Sequence, residues 1–566
     1  MQNKSLNEYL NQVKELINAG DFESCINLLS DAINQYPEEY KLKLNLGNVY
    51  KFLGDIPNAK EIYNSLLDTP YKTIAQNNLC LLMLEEGKID ASIKLAKDAI
   101  EADPNYADAK FNLSLGLFEK KKYSESLTIC NELQEDLIYK NKAYELKIRI
   151  NQIICSWNSF NKTQEILKNN KTIVHPFLHV SHVINEESNY FNARQWNNNL
   201  NRTKKIRPKK DMKKLLKVGF LCGEIRNHPT FYLIKNLFIN MRKSDLSMYM
   251  FSYNHNDEEK DYIKKNFNEF IDITNLNFVD GHAKIKSYQL DILIDLTTII
   301  SHNRIKMLDN SIAKIIIAYL AFPGTTGNRI YDYILTDKIV TPQNIQKYYD
   351  ERFLYLPDSY QSNNGKINTK INTKRESYNL PYNSTILGCL NQSFKLEPVF
   401  FNIWIDIMQE HENTCLWLLD EGPEMKNNIL NFIENRVDSN RIIFAKKVTY
   451  EEHLERIQHI DIALDTRIYN GHTTTIEMIQ AGIPLVTLKG NHFASRVSAS
   501  IINVLGMNQL VANSHSEYRD KIVSLISKDY RTLIKNEIFE KLKNSKLLDI
   551  KYFSDNFIKK IEDIFT

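Results

Sequence analysis

Apolar positions over residues 1–140 recur with the spacing of short amphipathic helices, and this pattern itself repeats along the chain. Gly20, Gly54 and Gly87 end successive helical patterns at a nearly constant spacing. One more period leads to Lys121, where Lys-Lys-Tyr replaces Gly-Asp-Phe. Five positions after each of these points stands a small residue: Cys25, Ala59, Ser92 and Ser126.

This period of about 34 residues predicts stacked helix pairs of the tetratricopeptide type over residues 1–140. The small residues allow paired helices to cross closely, and Leu46, Gly47 and Tyr50 match the first-helix pattern of that repeat. Such solenoids bind peptides in general, so the pattern is weak evidence of function, and a spacer or dimerisation arm is the alternative. The period fades in residues 141–214, where we expect capping helices and a solvated linker with the basic run 204–210.

After Leu215 the pattern changes to short apolar runs separated by helical stretches, which predicts parallel doubly wound sheets. The runs are Val218–Cys222, Met248–Tyr253, Asp291–Leu296 and Ile315–Phe322, and then Thr385–Leu390, Thr414–Asp420, Arg441–Lys446, Asp461–Asp465 and Pro484–Leu488. The polar loop Asn363–Lys374 separates the two series. We therefore predict an α-solenoid followed by two facing Rossmann-like α/β domains. They cover residues 215–375 and 376–566, the second includes the terminal helices, and the site lies in the cleft between them.

Composition excludes several classes of function. The net charge of +3 argues against a general nucleic-acid binder. The seven cysteines form no Cys-x-x-Cys pair and predict free thiols in a reducing compartment. The chain starts without an apolar signal core, and its longest apolar run is too short to span a bilayer. We expect a cytoplasmic protein without a membrane span.

The sharpest motif is Asn470–Thr475, which reads NGHTTT and opens a helical stretch after a predicted strand. Glycine permits close approach of the backbone, and the amides of a helix start attract an anion such as a diphosphate. A simple helix cap without a ligand is the alternative interpretation.

Three further groups of residues are candidates. Gln392 and Lys395 follow a predicted strand, where they could grip phosphate and sugar hydroxyls, although a lone lysine is weak evidence. His453 and Arg456 are three positions apart and share a helix face, unless this is only a charged surface helix. His228, in the run Asn227–Thr230, could act as a base or orient a substrate, although a lone histidine is usually structural.

Taken together, the motifs resemble those of the bacterial O-linked N-acetylglucosamine transferases, glycosyltransferase family 41. They occur in the family's order: HPT at 228–230, AFPGTTG at 321–327, YLPDSYQ at 355–361, NQSFKLEP at 391–398, NGHTTT at 470–475 and ASRVSAS at 494–500. The resemblance is clear over residues 215–512, and a tetratricopeptide arm in front is also the family arrangement.

The resemblance implies a GT-B fold and inverting transfer of N-acetylglucosamine from UDP-GlcNAc, or a related nucleotide sugar, to Ser or Thr of a protein. Carried over by position, it assigns the donor site to Gln392, Lys395, Val448, Tyr450, His453, Arg456, Gly471, His472, Thr473, Thr474 and Glu477. Of these, Gln392, Lys395 and residues 471–474 face the diphosphate, Val448, Tyr450 and Arg456 face the uracil, and Glu477 faces the ribose. His228 matches a histidine proposed as general base or as a positioning residue.

Two segments depart from the family pattern. Tyr450 stands where animal members carry a lysine, which alters one nucleotide contact. Leu296–Ile300 lacks the Gly-His-Thr of bacterial relatives, which puts the sugar or acceptor side of the site in question.

The sequence also constrains the mechanism. It contains no Asp-x-Asp, the motif with which many nucleotide-sugar enzymes bind a metal, so we expect no metal and no cofactor besides the donor. The leaving diphosphate is then neutralised by Lys395, the His472 region and helix amides. The attacking hydroxyl needs a proton acceptor, for which His228, Asp291 and Asp295 are candidates. We therefore name His228, Lys395 and Asp295 as catalytic candidates.

Other functions remain open at this point. A transferase of the same fold could use glucose or another hexose, and a non-catalytic tetratricopeptide scaffold would use the arm alone. The expected partner is a protein acceptor held by the repeat arm. Flagellin or another surface protein is suggested by analogy alone, and the sequence does not name the acceptor.

Overall fold

The first part of the chain is helical throughout. A computed structural model describes residues 4–19, 21–197, 215–242, 246–300, 302–363, 365 and 372–565. The helices of this part are α1 (Leu6–Ala19), α2 (Phe22–Gln35), α3 (Tyr40–Leu53), α4 (Ile56–Asn64), α5 (Lys72–Glu85), α6 (Ile89–Ala102), α7 (Ala107–Glu119), α8 (Tyr123–Glu132) and α9 (Lys140–Ile153). The helical-repeat prediction is confirmed.

The repeat positions read from the sequence have the expected local structure. The four small residues Cys25, Ala59, Ser92 and Ser126 are completely buried. Gly54 and Gly87 have φ angles of 77° and 73°, the left-handed conformation that ends a helix. Lys121, the non-glycine member of the series, has the same conformation with φ of 60°. The turn therefore does not depend on glycine, because lysine adopts the same conformation at this position.

The chain divides into two compact units. The first consists of residues 1–150 with 275–284, and the second of residues 151–274 with 285–566. The domain boundaries after residues 140, 214 and 375 stay predictions, and the basic run 204–210 lies outside the described residues. The second unit begins with α10 (Phe160–Lys168), α11 (Pro176–Val180) and α12 (Glu186–Trp196).

Seven parallel strands form the first sheet of the second unit. The elements of this part of the chain are β1 (Leu216–Cys222), α13 (Pro229–Met241), β2 (Leu246–Ser252), α14 (Asp257–Asn266), β3 (Glu269–Asp272), α15 (Phe278–Ser287), β4 (Leu290–Asp295), β5 (Ala313–Ala318), β6 (Tyr333–Thr336) and β7 (Arg352–Tyr355). Most of α15 belongs to the first unit. The strand order is β3-β2-β1-β4-β5-β6-β7. The four apolar runs predicted here as strands are β1, β2, β4 and β5, whereas β3, β6 and β7, which were not predicted, are short.

Six parallel strands form the second sheet. The elements are β8 (Thr385–Cys389), α16 (Pro398–Glu410), β9 (Thr414–Leu419), α17 (Pro423–Phe432), β10 (Ile442–Ala445), α18 (Tyr450–Arg456), β11 (Ile462–Leu464), α19 (Thr473–Gln480), β12 (Leu485–Leu488), α20 (Val497–Leu505), β13 (Val511–Ala512), α21 (His515–Ile526), α22 (Lys528–Lys543) and α23 (Ile550–Glu562). Its order is β10-β9-β8-β11-β12-β13. The predicted fold class, a helical solenoid followed by two Rossmann-like domains, is confirmed.

The last helix returns to the first α/β domain. The ring of Phe557 on α23 lies 5.5 Å from that of Tyr319, which directly follows β5. The hydroxyl of Tyr552 donates a hydrogen bond to Asp358 at 2.8 Å. Helix α23 therefore packs on the first α/β domain, although the sequence suggested that the terminal helices belong to the second. Among the described helices, none is both long and apolar enough to cross a bilayer.

The strand order of both sheets reverses direction at one point. The reversal lies between β1 and β4 in the first sheet and between β8 and β11 in the second. In open parallel sheets a crevice forms at this point beyond the carboxyl ends of the strands, and ligands bind there. Asp295 is the last residue of β4, and the loops after the other three strands carry His228, Lys395 and His472.

Candidate active site

Lys395 lies in the loop between β8 and α16, beside the reversal point of the second sheet. Its Nζ donates a hydrogen bond to the carbonyl oxygen of Asn470 at 2.9 Å. The same ammonium group lies 4.6 Å from the centre of the Tyr469 ring. Burial lowers the pKa of Lys395 to about 8, although nearby Asp465 acts in the opposite direction. A charge held here is poorly hydrated, so an anion in the crevice would stabilise it.

Asp465 fixes the loop that carries the NGHTTT motif. Its Oδ1 accepts hydrogen bonds from the backbone N–H groups of Thr466 at 2.9 Å and Gly471 at 2.7 Å. Its Oδ2 accepts one from the hydroxyl of Thr487 at 2.6 Å. A Cβ atom on Gly471 would come within 2.6 Å of the Thr474 hydroxyl oxygen, so the close turn requires glycine there.

His472 stands at the amino end of α19 with one nitrogen unused. Its Nε2 is buried and has no hydrogen-bond partner among the described residues. The ring stacks on Tyr469 with centres 4.9 Å apart. Its pKa lies well below the usual value because of burial, with the charge of Lys395 adding to the effect. An orphaned buried nitrogen beside a lysine and a helix amino end indicates a site for an anionic ligand.

The remaining residues of this group lie around the same loop. The hydroxyl of Thr474 donates a hydrogen bond to Asn391 Oδ1 at 2.8 Å, which joins the loop after β8 to the start of α19. Thr473 is the first residue of α19, and Gln392 has an exposed side chain in the same loop as Lys395. The structure therefore brings Lys395, His472 and Thr474 together from two separate loops, and Gln392 and Thr473 are their neighbours in sequence.

A second cluster joins α18 to α19. Nε and Nη2 of Arg456 donate to Nδ1 of His453 at 3.3 and 3.2 Å. Because that nitrogen accepts, the neutral ring carries its proton on Nε2, which faces Glu477 Oε2 at 3.2 Å. Arg456 also donates to the carbonyl oxygen of Lys446. Arg456 and Glu477 are 3% and 4% exposed, so this is a buried, specifically oriented network.

Tyr450 and Val448 border this cluster. Tyr450 is the first residue of α18, and burial together with Glu477 raises its pKa. Val448 precedes the helix cap Thr449 and is 39% exposed. The structure thus collects the predicted uracil and ribose residues into one group, separate in its hydrogen bonds from the Lys395 group.

His228 caps α13 in the first α/β domain. Its Nδ1 accepts a hydrogen bond from the backbone N–H of Thr230 at 3.3 Å. The neutral ring therefore carries its proton on Nε2, which lies 3.9 Å from Glu224 Oε2. Burial lowers the pKa of His228. In this tautomer the free nitrogen is a donor, so the geometry favours substrate positioning over general-base catalysis.

Asp295 and Asp291 lie near opposite ends of β4 and have different partners. Asp295 is 1% exposed. Its oxygens accept hydrogen bonds from the N–H groups of Thr297 and Thr298 at 2.9 Å and from the hydroxyl of Tyr331 at 2.7 Å. Asp291 lies toward the amino end of β4 and pairs with Lys314 at 2.6 Å. Asp295 therefore shapes the loop after β4, and Asp291 lies near the amino end of the strand, about 13 Å away along it. The role of Asp295 as a catalytic residue stays a prediction.

The sequence of this chain matches a known family of enzymes over more than half of its length. The model of the family described as glycosyl transferase family 41 matches residues 197–367 and 361–557. The chain belongs to glycosyltransferase family 41.

Curated relatives of this family 41 protein are named as UDP-N-acetylglucosamine–peptide N-acetylglucosaminyltransferases. It is 32% identical over 324 residues to the probable enzyme SEC of Arabidopsis thaliana, covering 55% of this chain and 33% of that protein. It is 22% identical over 457 residues to the Caenorhabditis elegans enzyme, covering 60% and 40%. The matches therefore span less than half the length of these relatives.

A solved structure shows the same fold. A mutant O-GlcNAc transferase of Thermobaculum terrenum superposes with a TM-score of 0.69 and 20% sequence identity. The match covers 93% of this chain and 97% of that one. The helical arm and both α/β domains are thus a shared architecture.

Two features of this family 41 protein were missed by the sequence analysis. Asp465 organises the NGHTTT loop, and an acid at the end of a strand before a glycine turn is the signal that could have found it. Tyr232 stacks on Tyr450 with ring centres 4.1 Å apart, which no sequence pattern predicts because the two tyrosines belong to different domains. In the described part of the chain, no group of three or more His, Cys, Asp or Glu is arranged to hold a metal ion.

Proposed function

We propose that this protein is an O-glycosyltransferase that transfers N-acetylglucosamine from UDP-GlcNAc, with inversion, to Ser or Thr of a protein acceptor. The single observation that carries the proposal is the unpartnered Nε2 of His472, buried beside Lys395 at the amino end of α19. This arrangement suits a diphosphate, because the lysine supplies charge, the helix amides supply directed donors, and a bound anion favours protonation of the free Nε2 of His472.

Glycosyl transfer requires stabilisation of negative charge on the leaving diphosphate. Lys395 is held by Asn470 and His472 by Tyr469, so little reorganisation is needed as that charge develops. We propose that these fixed groups act without a metal ion or cofactor, with Gln392, Thr473 and Thr474 as further diphosphate contacts.

The second cluster supplies a site for the nucleoside. We propose that Val448, Tyr450, His453 and Arg456 contact the base and that Glu477 contacts the ribose. Glu477 already orients His453 through a 3.2 Å contact, so one carboxylate would serve both the ligand and the pocket wall. The names of the relatives, which specify UDP-N-acetylglucosamine, support this donor.

We propose that the helical arm holds the protein acceptor. An arm that binds an extended segment raises the local concentration of the acceptor without contributing to the chemistry. A cytoplasmic location is also proposed, because all seven cysteines are free and buried, as expected in a reducing compartment.

A different donor sugar is the second candidate, and the loop after β4 favours it. In place of the expected Gly-His-Thr, Thr297 and Thr298 are 2% exposed and bonded to Asp295. Thr298 also has a positive φ of 54°, so the backbone of this loop takes a left-handed turn at a residue other than glycine. An altered loop at this edge of the crevice could admit glucose or another hexose.

The experiment is a donor screen on the purified chain. Binding of UDP is measured by calorimetry, and transfer from UDP-GlcNAc, UDP-glucose and UDP-galactose is followed by intact mass of proteins from cells that lack the chain. Addition of N-acetylhexosamine mass supports the first proposal, and addition of hexose mass supports the second. If the chain binds UDP but transfers no sugar to any protein, it is a binding scaffold and not an enzyme. If it does not bind UDP, the proposed site is wrong.

A further inference from the structure

Two tyrosines from different α/β domains stack on each other beside the proposed nucleoside pocket. Tyr232 belongs to α13 of the first domain, and Tyr450 begins α18 of the second. Their ring centres are 4.1 Å apart and the planes differ by 13°, so the rings overlap face to face. The resemblance assigns Tyr450 to the nucleotide, whereas no sequence pattern singles out Tyr232.

Both tyrosines also have polar neighbours. The Tyr232 hydroxyl donates to Asn227, the residue directly before His228. Burial, with Glu477 adding to the effect, raises the pKa of Tyr450, and Glu477 in turn faces His453. The two stacked rings therefore link the His228 loop to the neighbourhood of the proposed ribose and base residues.

We propose that Tyr232 is a donor-positioning residue, contributed by the first domain, that holds Tyr450 in the orientation required to bind the nucleoside of a UDP-sugar. The proposal rests on the proposed function, because it concerns the same donor site. Tyr232 acts through Tyr450 and takes no part in the chemical step.

The physical argument is preorganisation. A tyrosine at the first turn of a seven-residue helix next to an exposed loop would otherwise lose rotamer freedom when ligand binds. The Tyr232 ring removes that freedom before binding, and an aromatic pair of this kind stabilises by an amount equivalent to about three- to tenfold in affinity. Since the two rings come from different domains, the stack also fixes the position of the His228 loop relative to the donor pocket.

An opposite role makes an opposite prediction. If the stack instead closes the pocket, UDP must break it, and removal of the Tyr232 ring would tighten binding. The sign of the change in UDP affinity therefore separates positioning from occlusion.

The test is UDP titration calorimetry on the full chain. Tyr232→Ala and Tyr232→Leu should weaken UDP binding about three- to tenfold, whereas Tyr232→Phe, which keeps the ring, should stay within about twofold. Tyr382→Ala, which removes a tyrosine that is 79% exposed in the second domain, is the matched control and should match the wild type. The leucine variant keeps apolar volume, so it tests the stack if the alanine variant is poorly folded.

Two further readouts exclude a merely structural effect. Tyr232→Ala should raise the KM for the donor while kcat falls less than twofold, and it should add no further weakening in a Tyr450→Ala background. The role of Tyr232 would be overturned if both ring-less variants bound UDP as tightly as the wild type or more tightly, or if the effects in the double variant were additive. Either outcome would leave the proposed function standing. Absence of UDP binding by the wild-type protein would overturn the proposed function together with this proposal.

Discussion

The Nζ atom of Lys395 lies 2.9 Å from the carbonyl oxygen of Asn470, a residue much later in the chain. This hydrogen bond joins the loops after β8 and β11, the two strands between which the order of the second sheet reverses. It fixes a largely buried positive charge at the place where an anionic ligand is expected.

Replacement of Lys395 by alanine should abolish transfer and leave the fold intact. Loss of a charged contact to the leaving diphosphate costs roughly 3 kcal/mol or more, about a hundredfold in rate. The measurement is kcat at saturating donor, with thermal unfolding as the folding check. Lys551→Ala, which removes an exposed lysine on α23, should keep wild-type turnover. Wild-type turnover in Lys395→Ala would show that the charge is not used.

UDP affinity should fall as the pH rises above about 8. Burial lowers the pKa of Lys395 to about 8, so the free protein loses the positive charge within the range accessible to assay. Affinity should then decrease by up to about tenfold per pH unit, because the lysine must be reprotonated to bind the anion. Lys395→Arg keeps its charge throughout and should show a flat profile between pH 7 and 9.5. The same decline in the arginine variant would assign the effect to another group.

Transfer should persist in excess chelator. The sequence contains no Asp-x-Asp, and the charge of the diphosphate has a fixed partner in Lys395. The initial rate is measured with and without EDTA, and again after addition of magnesium or manganese. A complete loss of activity that either metal restores would mean that the diphosphate is neutralised by a metal.

The buried carboxyl of Glu186 should make the fold less stable as the pH rises from about 5 to 7. Burial raises its pKa to about 7, although Arg496 at 3.7 Å acts in the opposite direction. The native state therefore holds a proton that the unfolded chain has released, and stability falls with pH in this window by at most about 1.4 kcal/mol per unit.

Glu186→Gln should remove this pH-dependent contribution. The measured quantity is the free energy of unfolding of the wild type minus that of Glu186→Gln. This difference should fall between pH 5 and 7. The loss of the partner of Arg496 in the variant adds only a constant to it. Glu187→Gln, at the exposed neighbouring position, should give no such slope. The readout is urea unfolding at each pH, and a difference that stays constant would mean that Glu186 is ionised throughout.

Deletion of residues 1–139 should remove modification of the natural acceptor while sparing UDP binding. Each helix pair of a solenoid packs on its neighbours, so removal of whole pairs need not unfold the rest. Because Phe278 lies beside Gly54 within the first unit, the truncation should be paired with Phe278→Ser to avoid a newly exposed ring. Calorimetry with UDP and the acceptor KM are the two measurements.

The outcome of the truncation distinguishes three roles. Unchanged modification of the acceptor would make the arm a spacer or a dimer contact. Loss of UDP binding would mean that residues 1–139 contribute to the catalytic fold. Loss of acceptor modification alone supports the proposed role.

The sequence by itself determined the architecture. The repeat period depends on local helix pairing, so the small residues Cys25 and Ser126 could be read as buried without coordinates. Long apolar runs such as Val218–Cys222 identified central strands, because a strand covered on both faces must be apolar along its length. The short strands β3, β6 and β7 gave no such signal, since their burial depends on their neighbours.

Only the tertiary structure decided what each candidate side chain can do. Asp291 and Asp295 are equivalent in sequence, but different hydrogen-bond partners and opposite ends of β4 separate them. The tautomer of His228 follows from one backbone N–H, and the pairing of Tyr232 with Tyr450 follows from the packing of two domains. Residue type and spacing record the chemistry that is available, whereas proton positions and contacts between distant segments exist only after the chain has folded.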